Sequence, residues 1–226
     1  GNTQPSYTVP DSVTAIAAFA FSGASHLTGV SIPSGVTSIG ESPFARCTAL
    51  TSIIVAPANP TFTSQDGVLF NKAQTQLIQY PVGKGPTTYT IPSTVTSIAD
   101  NAFICSRLTG IVLPAGLTSI GGSSFAFSRN LTNVTIPAGV TSVREVAFSG
   151  CSNLQWAYFM GNAPGTVGKD IFAGTAAGFS VYHATGATGF TSPWNGFTTT
   201  IFPFQYTDTG AAITITGYIG FGDVTI

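Results

Sequence analysis

Apolar residues recur along the chain in a single pattern with a period of about 23 residues. Each unit begins with a proline, has apolar residues three and six positions later, and reaches a phenylalanine at the eleventh position. The prolines are Pro10, Pro33, Pro92, Pro114 and Pro137, and the phenylalanines are Phe21, Phe44, Phe103, Phe125 and Phe148. Because a unit this short cannot bury its own apolar side chains, we expect the units to stack and share ladders of like residues.

A leucine follows each phenylalanine and begins the pattern L-x-x-φ-x-φ, where φ is apolar, as in Leu131-Val134-Ile136. This alternation predicts a short β-strand whose last two apolar residues face inward. The proline that follows cannot donate a ladder hydrogen bond, so it ends the strand. A return segment such as "VTSI" then leads to the phenylalanine, which is predicted to fill the centre of the coil. Frequent β-branched residues, Gly and Pro predict little helix.

Two longer stretches interrupt the repeat. The first contains "DGVLFNKAQTQLIQYP", which predicts a hairpin with strands around Leu69 and Ile78 and a turn at Asn71 and Lys72. The second, 161–197, lacks the "IP" dipeptide but holds an aromatic cluster, Phe190, Trp194 and Phe197. We expect this second stretch to cover the open end of the array, since terminal units need a cover.

Units such as "VTIPAGVTSVREVAFSGCSNL" (134–154) resemble the BspA-like leucine-rich repeats of bacterial surface proteins, over residues 7–159. The resemblance implies a right-handed solenoid with a curved parallel sheet and a role in adhesion or binding. It supplies no family-wide catalytic residues. The predicted organisation is one solenoid over 1–204, with regular units at 7–57 and 89–159, an enlarged unit at 58–88 and a degenerate terminal coil at 160–204. Residues 205–226 are predicted to be the truncated start of a further repeat or a linker strand, within a longer repetitive protein.

Composition narrows the classes of function. Charged residues make up 7% of the chain and its net charge is −1, which argues against binding to nucleic acid or to anionic lipid. No run of about 18 apolar residues is present, so no membrane insertion is expected. Abundant Thr, Ser and Gly favour an extracellular or cell-surface location in a bacterium.

The residues that could carry chemistry also follow the repeat. Cys47 and Cys151 lie three residues after their phenylalanines and Cys105 lies two after its own, in a unit one residue short; all three are interpreted as small buried ladder residues. A metal or redox site is the alternative. Three acids, Glu41, Asp100 and Glu145, lie eight residues after their prolines and predict a solvated edge, with Ca²⁺ binding as the alternative. No nucleophile–base signature is present, so the prediction is no enzyme, no catalytic or metal-binding residues and no cofactor.

The outward positions of the predicted strands are the candidate binding surface. Most are small, but Trp156 and Tyr158 lie side by side and, with Asn133 and Thr135 on the preceding strand, would form a platform for a sugar ring or a partner side chain. The alternative is that the terminal coil covers both aromatic residues. The predicted function is a non-enzymatic extracellular interaction or adhesion module with an unknown protein or glycan partner. The alternatives are a carbohydrate-binding accessory module of a larger secreted protein and, with less support, a hydrolase.

Overall fold

The computed structural model describes residues 5–202, together with the backbone of residues 204–208 and 213–218. Within these ranges the chain is mainly β and winds into a solenoid of about 8 turns with a spacing near 23 residues, as the repeat predicts. This part of the chain contains no helix, and therefore none with the length and apolar character needed to cross a membrane.

The first face of the solenoid consists of parallel strands, here called the long strands, which include the five predicted after the ladder leucines. Neighbouring long strands are parallel, with Val30 opposite Ile53 and Val134 opposite Ala157. Buried residues alternate with more exposed ones along them, which matches the apolar spacing of the sequence. The long strands are β1 (Ser6–Thr8), β3 (Gly29–Ile32), β5 (Ser52–Val55), β9 (Thr88–Thr90), β11 (Gly110–Val112), β13 (Asn133–Ile136), β15 (Trp156–Phe159), β17 (Ser180–His183) and β18 (Thr199–Ile201).

The second face consists of two-residue strands formed by the "TSI" segments, here called the short strands. Within each sheet of this face, a short strand is parallel to the short strand of the next coil, as with Ile98 opposite Ile120. Neighbouring coils approach so closely that a Cβ added to Gly40 would lie 2.3 Å from the backbone nitrogen of Ala18. The short strands are β2 (Ala15–Ile16), β4 (Ser38–Ile39), β10 (Ser97–Ile98), β12 (Ser119–Ile120), β14 (Ser142–Val143) and β16 (Thr166–Val167).

A turn around each repeat phenylalanine forms the third side of the coil. The backbone N–H of Phe125 donates to Ala147 O at 2.8 Å, and the N–H groups two residues before and after it also donate to the next coil. Those two flanking residues, Ser123 and Phe127, have φ of 52° and 59°, in the left-handed region. The turn therefore requires two left-handed residues in each coil, which glycine fills at positions 23, 150 and 174 and other residue types fill elsewhere.

The phenylalanine rings stack along the axis of the solenoid, as predicted. Centroids are 4.8 Å apart for Phe103 and Phe125, 4.9 Å for Phe125 and Phe148, and 5.5 Å for Phe148 and Phe172. All four side chains are almost completely buried. Phe172 extends the stack into the region that lacks the "IP" dipeptide, so the terminal coil keeps the central aromatic position.

The enlarged unit forms three antiparallel strands, β6 (Phe62–Gln65), β7 (Val68–Asn71) and β8 (Gln76–Gln79). The β7–β8 hairpin confirms the sequence prediction, whereas β6 was not predicted. On its other edge β8 is parallel to β10, with Leu77 opposite Ile98, so it takes the place of a short strand. Tyr80 follows β8 and continues the ring stack, 5.1 Å from Phe103.

The insert divides the interior into two apolar cores. Leu69 of β7 packs with the first two coils, and its neighbours Val68 and Phe70 pack with the later coils. Alternate residues of a strand point to opposite faces, so one strand contributes to both cores. This explains why three consecutive residues of β7 are completely buried.

The aromatic cluster predicted for the terminal coil packs against the last rings of the array. Trp194 lies 5.3 Å from Phe159, and Phe197 lies 6.0 Å from Phe172, both edge-on. Phe190 also contacts Phe159, at 5.4 Å. These contacts cover the apolar end that a solenoid would otherwise expose.

Beyond residue 202, the strands β19 (Phe204–Asp208) and β20 (Ile213–Tyr218) form an antiparallel pair. The predicted start of a further repeat rested on Val224–Ile226, which lie outside the described residues. The proposed division between 1–204 and 205–226 therefore stays a prediction.

Candidate functional site

The outer side of the long strands carries no charge at the positions that face away from the core. Each of the first eight long strands has two residues that face outward, the first and the third of the pattern. Parallel pairing aligns these residues from coil to coil within β1–β3–β5, within β9–β11 and within β13–β15–β17. Ser6, Gly29, Ser52, Thr88, Gly110, Asn133, Trp156 and Ser180 form the first row, and Thr8, Ser31, Ile54, Thr90, Val112, Thr135, Tyr158 and Tyr182 form the second. These two rows are called the outer face.

The four residues predicted to bind a ligand are brought together on this face. Asn133 lies opposite Trp156, and Thr135 lies opposite Tyr158, on adjacent parallel strands. Asn133, Thr135 and Trp156 are half-buried, so each keeps some contact with solvent. Tyr158 differs because only 2% of its surface is exposed. A role for these residues in binding stays a prediction.

Aromatic residues from later in the chain cover Tyr158. The ring of Phe202 lies 4.5 Å from that of Tyr158 and also meets Tyr182 edge-on at 6.1 Å. Tyr182 lies opposite Tyr158 in the sheet and is half-buried. The covering of Tyr158 corresponds to the second of the two alternatives drawn from the sequence, whereas Trp156 remains accessible. Tyr182 was missed, although it lies one repeat after Tyr158.

Apolar side chains elsewhere on the outer face are well exposed. Ile54 is 58% exposed and Val112 is 39% exposed, both in the second row. With Trp156 they place apolar surface on three separate coils. Apolar side chains exposed on this uncharged face are available for contact with a partner.

The predicted row of acids lies on the turn side of the second face. Arg144 Nη1 donates to both carboxylate oxygens of Asp100, at 2.9 and 2.7 Å, and its Nη2 lies 3.3 Å from Glu145 Oε1. Asp100 Oδ1 also accepts from the backbone N–H of Gly122 at 2.7 Å. One guanidinium thus serves two carboxylates. In the part of the chain that the structure describes, no three His, Cys, Asp or Glu residues are grouped so that they could hold a metal ion.

Two of the three cysteines are the buried ladder residues that the sequence predicts. Cys47 Sγ donates to Phe21 O at 2.9 Å, and Cys151 Sγ donates to Phe125 O at 3.1 Å. Burial raises the pKa of the Cys151 thiol to about 12 and also raises that of Cys47, so both stay protonated at neutral pH.

The prediction for Cys105 was wrong. It occupies a left-handed turn position, with φ of 61°, and is only partly buried. Ser106 is the true equivalent of the buried thiols, and its Oγ lies 2.9 Å from that of Ser128. This unit is one residue shorter than the others, and the missing residue falls between Ser106 and Leu108. Counting back from the leucine therefore assigns Cys105 to the position that Ser106 occupies.

Comparison with known proteins agrees with the fold. A leucine-rich repeat protein from Eubacterium ventriosum is 25% identical over 79% of this chain and 48% of its own, with a TM-score of 0.68. A leucine rich cell surface protein from Faecalibacterium prausnitzii is 27% identical to this chain, with a TM-score of 0.60. The match covers 84% of this chain and 55% of that protein. The pneumococcal vaccine antigen PcpA is 23% identical to this chain, with a TM-score of 0.62. The match covers 76% of this chain and 48% of that protein, and it shows a likeness of fold alone. The chain thus spans about half the length of these proteins. Curated protein sequences give no match.

The sequence itself matches a known repeat family. Six copies of the BspA type leucine rich repeat region are found, over residues 2–81 and 85–178. These ranges include both regular parts of the solenoid and most of the enlarged unit. The match covers more than half of the chain and agrees with the coil spacing in the structure. The chain therefore belongs to the BspA-type leucine-rich repeat family.

Proposed function

We propose that this chain is a non-enzymatic interaction module that works outside a bacterial cell and presents its outer face to a protein partner. The supporting observation is the outer face itself, which is uncharged and exposes Ile54, Val112 and part of Trp156 on three coils. Binding on such a surface comes from apolar contact near the centre of the interface. A similar protein is described as a cell surface protein, which supports an extracellular location.

The absence of enzymatic activity is part of the proposal. The chain has seven Lys or Arg, eight Asp or Glu and two His. The two buried thiols have raised pKa values and are held by backbone carbonyls, which is unfavourable for a nucleophile. His183 stacks flat on Phe190 at 4.7 Å, a packing contact.

Glycan binding is the second candidate, and Trp156 is the observation that favours it. A partly exposed indole beside the amide of Asn133 combines an apolar platform with hydrogen-bonding groups, which is the chemistry a sugar ring needs. In this case the chain would be a carbohydrate-binding accessory module of a larger secreted protein.

A comparison of outer-face variants tests both candidates. The folded chain is used to capture cell-surface proteins and is applied in parallel to a glycan array. If the partner is a protein, we expect the double variant Ile54→Ser with Val112→Ser to weaken capture at least tenfold. If the partner is a glycan, we expect Trp156→Ala to weaken binding to the array by the same factor. Phe19→Ser is the matched control, because Phe19 is 55% exposed but lies in the turn beside the repeat phenylalanine. Equal binding by the control and both outer-face variants would contradict the proposal.

A further inference from the structure

In the part of the chain that the structure describes, the short strand β4 has a partner strand on one edge only. In the regular coils each short strand accepts hydrogen bonds from the next coil, as when Thr118 N–H donates to Thr96 O at 2.8 Å and Gly121 N–H donates to Ile98 O at 3.0 Å. Thr37 O holds the corresponding acceptor position beside β4. Among the described residues, no N–H group donates to it or to the carbonyl of Ile39.

The enlarged unit is the cause of this free edge. β8 stands where the next short strand would be, but its two edges are taken by β10 and by β7. The second face is therefore split into one sheet of β2 and β4 and another that runs from β6 to β16. β4 is left with the backbone groups of an edge strand, which are a template for pairing with another extended chain.

A groove lies along this edge. Its volume is about 380 Å³, within the range of ligand-binding clefts, and it is lined by Ile39, Glu41, Phe62, Gln76, Ile78 and Ser97 among others. Asn101 Nδ2 donates to Ser42 Oγ at 2.7 Å, which ties the coils on the two sides of the insert together. The space admits a few residues of an extended chain and excludes a folded domain.

Charge at the groove favours a cation. Glu41 lies at the edge of the groove, is exposed, and has no ion pair among the described residues. Asp100 and Arg144 also line the groove and neutralise one another at 2.7 Å. The lining therefore keeps one uncompensated carboxylate, which a basic side chain would complement.

We infer that this groove binds an extended peptide segment that adds a strand to β4 and places a lysine or arginine beside Glu41. The free carbonyls of Thr37 and Ile39 accept from the backbone of the peptide, and Phe62 and Ile78 provide the apolar contact for alternate side chains. The groove belongs to the second face, so the inference does not rest on the function proposed for the outer face.

The test uses phage-displayed random peptides of ten residues, selected on the folded chain and then synthesised for affinity measurement by fluorescence polarisation. We expect enriched peptides to contain Lys or Arg, and we expect N-methylation of alternate peptide amides to abolish binding. Ser97→Tyr obstructs the groove and should weaken binding at least tenfold. Its matched control is Ser142→Tyr, which changes the same repeat position at a residue that does not itself line the groove.

A second pair of variants tests the charge and does not depend on the tyrosine variant folding. Glu41→Gln should weaken binding three- to tenfold, and Asp11→Asn, an exposed acid in the first coil, should leave it unchanged. Failure to enrich any peptide, equal loss in Ser97→Tyr and Ser142→Tyr, equal affinity of N-methylated peptides, or no effect of Glu41→Gln would each overturn the inference. Glycan binding that Ser97→Tyr removes would assign the groove to carbohydrate and overturn it as well.

Discussion

The ring stack makes a sharp prediction for the stability of the solenoid, tested by Phe125→Ala. Phe125 is 1% exposed and its ring is parallel to Phe148, at an interplanar angle of 0° and a centroid distance of 4.9 Å. Phe103 stacks on its other side at 4.8 Å. The substitution removes a buried side chain and two aromatic contacts at the same time.

The expected loss follows from these contacts. Truncation of a buried phenylalanine costs about 3–5 kcal/mol in unfolding free energy, and each stacked pair is worth about 0.5–1.5 kcal/mol beyond burial. We therefore expect Phe125→Ala to lower the unfolding free energy by about 4–5 kcal/mol, in the upper part of the range. Such a loss is a large share of the roughly 5–15 kcal/mol that stabilises a typical domain.

Urea unfolding followed by tryptophan fluorescence measures this effect. Trp194 belongs to the later core, the same core as Phe125, so its emission reports on the relevant part of the solenoid. The matched control is Phe127→Ala, because Phe127 is 43% exposed and lies two residues along the same turn. That control should cost less than about 1 kcal/mol.

Two outcomes would refute the argument about the stack. One is a loss below about 1.5 kcal/mol for Phe125→Ala, which is half the lower limit for a buried phenylalanine. The other is an equal loss in Phe127→Ala. If Phe125→Ala does not fold, Phe125→Leu retains part of the apolar volume and should cost about 1–3 kcal/mol.

Four further predictions concern close packing, thiol reactivity, the pH dependence of stability and a buried amide. Gly40→Ala should lower the thermal midpoint, because a Cβ there would lie 2.3 Å from a backbone nitrogen, whereas Gly85→Ala, with nothing within 4 Å, should leave it unchanged or raise it. Iodoacetamide at pH 8 should alkylate Cys105 in the native chain and spare Cys151, and mass spectrometry of the peptides checks this. Because burial raises the folded-state pKa of Cys151 from 9.0 to about 12, its contribution to stability is complete below pH 9 and is lost as pH rises towards 12, so replacement by Ser should flatten that loss in urea titrations. Asn59 is completely buried and its side chain makes four hydrogen bonds to backbone groups, so Asn59→Ala should cost at least about 3 kcal/mol in the same assay.

Positions that repeat with a fixed residue type could be predicted from the sequence. The ladder of Val30, Ile53 and Val134 and the central position of Phe125 follow from spacing, because a short unit must bury those side chains against its neighbours. The left-handed turn positions could not be predicted in this way. Arg46 and Phe127 fill equivalent places with φ of 60° and 59°, so the requirement is conformational and leaves no constant residue type in the sequence.

The sequence predicts which side chains lie on the candidate surface, but it does not predict which of them are accessible to solvent. Alternation places Trp156 and Tyr158 on the same outward side, and the structure agrees. The accessibility of Tyr158 depends on Phe202, whose ring lies 4.5 Å away and which comes more than 40 residues later in the chain. A period of about 23 residues carries no information about a contact made by a segment outside the repeat.

The enlarged unit shows why an insertion in a solenoid can matter more than its own residues. The sequence predicts the hairpin around Leu69 and Ile78 as an addition to one coil, and it predicts no effect on the coil before it. In the structure, β8 pairs with β7 on the edge that a regular coil would offer to β4. One strand edge can pair with only one other strand. Because β8 pairs with β7 inside the insert, that edge of β8 is not available for parallel pairing with β4. The same choice splits the core in two, since Leu69 and Phe70 then face different coils. The free edge of β4 and the groove beside it are thus consequences of the insertion, and a comparable free edge is expected wherever a hairpin replaces a short strand in this family.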